Sequence, residues 1–148
     1  MKNLFFALFL FLTTLNSFAQ KSNYPILSIP DSLKQNANAV LRLDQMDIVI
    51  ASQRSMNIKT QRVVSVLNEK GLNNIDAFCH YDKTTSIKNI EAGVYDALGN
   101  EIKKIKRKDF KDQSAVGGST LFSDNRVLYL NYTPISYPFT IAYTSEVE

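Results

Sequence analysis

The chain has 148 residues, with 17 basic and 14 acidic side chains, one histidine, one cysteine and no tryptophan, for a formal net charge of +3. That length suits one domain and is enough to bury a core without disulfides, which a single cysteine could not form internally. The near-balanced charge gives no reason to expect a nucleic-acid partner, and one cysteine with one histidine is too small a set for a zinc site.

Residues 1–19 read as a cleaved secretory signal peptide. Lys2 supplies the positive start, Leu4 to Leu12 is an unbroken apolar run, and Thr13 to Ser17 turns polar. Ser17-Phe18-Ala19 then places small residues at the two positions read by a signal peptidase. Cleavage after Ala19 leaves Gln20 first in a mature chain of 129 residues, whose charge falls to +2 with the loss of Lys2. The apolar run is shorter than the roughly 20 residues that span a bilayer. A lipid-anchored start needs a cysteine just after that run, whereas the only one is Cys79. The expected product is exported, periplasmic or extracellular, with no stable membrane span and no nucleic-acid partner.

Tyr24 to Ile29 is a short apolar opening, and Pro30-Asp31-Ser32 starts one helical turn that Asp31 or Ser32 can cap. Val40 to Ile50 and the alternating Met56 to Leu67 are strand candidates, followed by turn chemistry at Asn68-Glu69-Lys70-Gly71, where glycine accepts a positive φ. Ile75 to Tyr81 is the next strand. Ile87 to Asp96, with Ile90, Ala92 and Val94 on one face, turns through Ala97-Leu98-Gly99-Asn100 into Glu101 to Lys106 as a hairpin. Gln113 to Thr120, with Gly117-Gly118, reads as a loop. Arg126 to Tyr132 and Phe139 to Val147 are the last strands, with Pro134 and Pro138 bracketing their link.

Period-two patterning with turns between short strands predicts an all-β fold, an antiparallel β-sandwich-like domain or an open barrel, over residues 20–148. Strand-like sequence runs up to Glu148, which leads us to expect the start of a longer protein.

Candidate chemistry is sparse. Cys79-His80 invites a thiol-hydrolase reading, but adjacent strand residues point to opposite faces, so the core reading of Cys79 is preferred. The aspartates are scattered rather than spaced as a calcium loop, and Gly117-Gly118-Ser119-Thr120 lacks the lysine and strand-to-helix setting of a phosphate cradle. No catalytic residue, metal ligand or cofactor is expected. The densest feature is the basic run Lys103, Lys104, Lys106, Arg107, Lys108 and Lys111. It is an interaction surface for anionic polymer or, the preferred reading, a solvated edge strand whose lysines block stray pairing. Tyrosines such as Tyr95 and Tyr129 could stack on sugars, so a carbohydrate- or surface-polymer-binding module is the alternative function.

An ordered series of segments carries a resemblance. It runs through Ile29-Pro30 with Asn36-Ala37-Asn38-Ala39-Val40, then Tyr81-Asp82-Lys83-Thr84-Thr85 and Ile90-Glu91-Ala92. Val94 to Lys104, Asp109-Phe110-Lys111-Asp112, Asp124-Asn125-Arg126-Val127 and Tyr137-Pro138-Phe139-Thr140-Ile141 continue it. Together they resemble the domain of unknown function 3857 family, found at the N-terminus of exported transglutaminase-like proteins of Gram-negative bacteria. The resemblance covers nearly all of the mature chain. It implies a largely antiparallel all-β domain ahead of a papain-like thiol domain with a Cys-His-Asp arrangement. Nothing in residues 20–148 matches that active-site motif. The implied role is therefore a non-catalytic accessory domain whose partner is the downstream thiol domain of the same protein, with cell-envelope polymer as a further partner.

Overall fold

Among the described residues the chain forms eight strands: β1 (Ala39–Ser52), β2 (Ser55–Val66), β3 (Phe78–Tyr81), β4 (Ile87–Tyr95), β5 (Glu101–Lys106), β6 (Lys111–Ser114), β7 (Arg126–Tyr129) and β8 (Phe139–Val147). This computed structural model describes residues 23–115 and 124–148. The signal peptide expected over residues 1–19 and the stretch Gly117-Gly118-Ser119-Thr120 lie outside the described residues.

Five strands make one sheet in the order β1-β2-β8-β4-β5, and three make a second in the order β3-β7-β6. Every pairing is antiparallel. The fold is thus an all-β antiparallel sandwich of two sheets. Inward residues of both sheets form one apolar cluster: Val64 and Val66 of β2, Ile90, Ala92 and Val94 of β4, and Phe139, Ile141 and Tyr143 of β8 meet Cys79, Leu128 and Phe110. Burying each large apolar side chain contributes about 1.5–3 kcal/mol.

The opposite face of the larger sheet is also partly covered. Val63, Ser65 and Thr140 are buried there, and Ser65 and Thr140 share a hydroxyl hydrogen bond of 2.7 Å. The cover is the segment from Asn23 to the short helix α1 (Asp31–Lys34). At one end Asn23 and Ile26 donate backbone hydrogen bonds to Gly99 and Ala97 in the β4–β5 turn. At the other, Arg42 of β1 donates to the carbonyl of Pro25 and the hydroxyl of Ser28. Tyr24 packs edge-on against Tyr95 at 5.4 Å, and Ile26 and Ile29 are buried.

Four local expectations change. Pro30, not Asp31 or Ser32, precedes α1 without a side-chain cap, and Asp31 sits inside the first turn, paired with Lys34. Gly71 lies in a 3-10 segment without a positive φ; a methyl there would run into the Asn38 carbonyl, so close approach, not turn geometry, calls for glycine. Gly99 is the one described glycine that needs a left-handed φ, +89°. The third strand begins at Phe78 because Asp76 adopts φ 47° and turns the chain. Finally, Gln113 and Ser114 belong to β6 and not to a loop: β6 pairs with β7 along its length.

Candidate functional site

The basic run is not one patch. Lys103, Lys104 and Lys106 lie on β5, an edge of the larger sheet, as an edge strand guarded by lysines would have it. Alternation splits them. Lys104 and Lys106 share a face with Gly93 and Glu91, and Lys104 lies 3.5 Å from the Glu91 carboxylate. Lys103 takes the other face, with its ammonium 5.6 Å from the centre of the Tyr132 ring. Arg107 turns back, donating at 2.7 Å to the Ile87 carbonyl. Lys108 is exposed in a 3-10 turn whose start is held by the Asp109 carboxylate accepting from the Lys106 amide. Lys111 belongs to β6, in the other sheet. The run therefore wraps around one side of the sandwich with its charges divided among several surfaces.

Cys79 points into the core, 7% exposed, and burial pushes its thiol pKa up. Its neighbour His80 is exposed on the opposite face, edge-on to Phe78 at 5.5 Å. A histidine so placed cannot hold a thiolate on Cys79, because the strand itself separates the two side chains. Cys79 packs beside Tyr143, whose pKa is also raised by burial and whose hydroxyl donates to the Phe78 carbonyl at 2.8 Å. Among the described residues, no three His, Cys, Asp or Glu side chains gather to hold a metal ion. No described helix is long and apolar enough to cross a membrane.

Two hollows remain. One, of about 520 Å³, opens where the sheets part, with Ile58 and Val147 on one wall and His80, Tyr81, Asp82 and Thr85 on the other. Asp82 is occupied: its Oδ1 accepts from the amides of Thr84 and Thr85 and from the Thr84 hydroxyl, which holds its pKa below the usual carboxylate range. This hollow can hold a chain or ring but presents no activated nucleophile. The second, of about 370 Å³, is bordered by Leu72, Phe78, Tyr129 and Tyr132. Of the two tyrosines expected to stack on sugars, Tyr129 lies beside this hollow, while Tyr95 is covered by Tyr24.

The structure also assembles a polar group that the sequence did not point to. The Tyr81 hydroxyl donates to Asp112 at 2.7 Å, and Arg126 Nε lies 3.0 Å from both the Tyr81 oxygen and the Asp112 carboxylate. Asp112 is held at a lowered pKa, first by the Tyr81 hydrogen bond and then by Arg126. Only the pairing of β3 and β6 on either side of β7 brings these three together.

No curated protein matches the sequence. A crystal structure of a protein from Parabacteroides distasonis, described as a "putative protease", shares the fold with a TM-score of 0.56 and 11% identity. The likeness covers 74% of this chain and 23% of that one, so this chain spans less than a quarter of that protein. Residues 52–148 match the family described as a domain of unknown function with solved structure, DUF3857. The match takes in β2 to β8, the strands that build the core, and the chain belongs to the DUF3857 family.

Proposed function

We propose that this chain is a non-catalytic accessory and interaction domain of an exported envelope protein, carried ahead of a transglutaminase-like thiol domain. The observation that carries the reading is the placement of the single cysteine: Cys79 is buried, its thiolate is disfavoured, and the single histidine faces away. Residues 1–19 support delivery to the periplasm or the extracellular space. The Parabacteroides protein, where a like fold takes up 23% of a longer chain described as a "putative protease", supports a β-module joined to a hydrolytic domain.

Purified protein incubated with peptide substrates and an amine acceptor is expected to show neither hydrolysis nor cross-linking. Activity that vanishes in Cys79→Ala would overturn the reading. The coding sequence beyond codon 148 is expected to continue into a domain with a Cys-His-Asp set, and a stop codon there removes the accessory role.

A second reading, a carbohydrate- or surface-polymer-binding module, draws on the exposed Phe78 with Tyr129 beside the 370 Å³ hollow. A glycan array with no signal above background eliminates it.

A further inference from the structure

The two edges of the five-stranded sheet are built differently. β5 is short and carries Lys103, Lys104 and Lys106, which blunt an edge against pairing. β1 runs over Ala39–Ser52, and among the described residues nothing pairs with its outer side. It exposes Met46, Ile48, Val49 and Ile50 at 61%, 55%, 59% and 75%. The register with β2 sets Met46 opposite Thr60, Ile48 opposite Ile58 and Ile50 opposite Met56, and Ile58 in turn pairs with Val147, which packs on the core. Met46, Ile48 and Ile50 thus extend the core face of the sheet outward. β1 carries Arg42, Asp44 and Asp47 and has register irregularities between Leu41 and Leu43 and between Ile50 and Ser52. The regular stretch between them has no lysine and leaves these apolar side chains exposed, and such an edge is a template for another strand.

We propose that β1 is the interface of a symmetric dimer, in which a second copy of this chain pairs antiparallel with it about a two-fold axis through Ile48. Two five-stranded sheets then become one continuous sheet. The occupant is argued from self-complementarity. With Ile48 opposite Ile48, Met46 of each copy meets Ile50 of the other, and the core-side residues form one unbroken apolar row. On the other side of the sheet Asp47 meets Val49 and Gln45 meets Ala51, so between Asp44 and Ser52 no like charges stand opposite. Moving the axis to Asp47 sets two carboxylates face to face, and moving it to Val49 leaves Met46 opposite Ser52. A closed two-fold contact of this kind uses the same patch on both copies and leaves no β1 edge to propagate. The proposal does not depend on the accessory-domain reading.

Sedimentation velocity on the full chain is expected to show a concentration-dependent dimer. Ile48→Lys places two ammonium groups at the axis and is expected to weaken association by about tenfold or more, with circular dichroism unchanged. Ile50→Lys, at a more exposed position, should do the same should Ile48→Lys disturb the fold. Register is read by disulfide capture under mild oxidation, with the buried Cys79 as a silent background. Ile48→Cys alone should give a covalent dimer. Met46→Cys and Ile50→Cys should cross-link efficiently only when mixed. A chain that stays monomeric, a dimer indifferent to both lysines, or cross-linking without this pattern would overturn the proposal. So would a monomer whose β1 amides become protected only on adding another peptide or domain, an outcome that assigns the edge to that partner.

Discussion

The two faces of the five-stranded sheet are both buried over part of their area, by different means. The core face relies on apolar area: Val66, Val94, Phe139 and Ile141 close against Cys79, Leu128 and Phe110. The opposite face carries two fully buried hydroxyl residues, Ser65 and Thr140, which satisfy each other beneath a segment pinned by a few backbone and arginine hydrogen bonds. Apolar packing is non-directional and shared among many neighbours. The outer cover depends on a few particular donors and acceptors, chiefly the Pro25 carbonyl, the Ser28 hydroxyl and the Arg42 guanidinium. The core face should therefore dominate global stability, and the outer face should fail locally.

The largest effect is expected from Phe139→Ala, which removes one of the largest fully buried side chains. Chemical denaturation should show a loss of about 3–5 kcal/mol. A loss below 1 kcal/mol would break the contrast between the faces. Ser65→Ala strands the Thr140 hydroxyl and should cost about 1–3 kcal/mol, whereas combining it with Thr140→Val should restore much of that. An additive double variant would show that the hydroxyls do not depend on each other.

Tyr24→Ala removes the edge-on contact with Tyr95, and a loss of about 0.5–1.5 kcal/mol is expected. The sharper readout is hydrogen exchange: the Ile26 amide, bonded to the Ala97 carbonyl, should exchange faster while amides of β8 stay protected. The smallest effect concerns pH. Cys79 and Tyr143 both have folded-state pKa values above their unfolded ones because burial disfavours the charged form. The folded state then holds protons that the unfolded state gives up. Their contribution is fully present below the unfolded thiol value of about 8.5 and is lost as pH rises beyond it, with tyrosine joining above about 10. Urea melts from pH 7 to 10.5 should show this decline, and Cys79→Ala should remove its earlier part.

Where burial is one-sided, the sequence displays it. Phe139 to Val147 alternates cleanly and forms a strand with those same ends. Gly99 sits in the turn its neighbours predict. β6 escapes because Lys111-Asp112-Gln113-Ser114 is short and wholly polar, with all four residues exposed; its pairing with β7 is what makes it a strand. Gly71 is read for the wrong reason because its constraint, the Asn38 carbonyl, arrives from a distant part of the chain. The basic run is visible as a run, yet its dispersal depends on alternation along β5, the inward turn of Arg107 and the transfer of Lys111 to the other sheet. The Tyr81–Asp112–Arg126 group has no local signature at all, since sheet order alone assembles it.

The position of β8 has a kinetic consequence. It lies between β2 and β4, and Ser65 finds Thr140 across 75 positions of chain. The β1–β2 and β4–β5 hairpins are local and can form as soon as their residues are available. The strand that joins them is the last of the eight in chain order. Until β8 inserts, both hairpins present an open apolar edge, and closing the sheet means paying the entropy of a long loop in the slowest step. A chain synthesised from its N-terminus must wait for β8 before either half of the larger sheet is protected from mispairing.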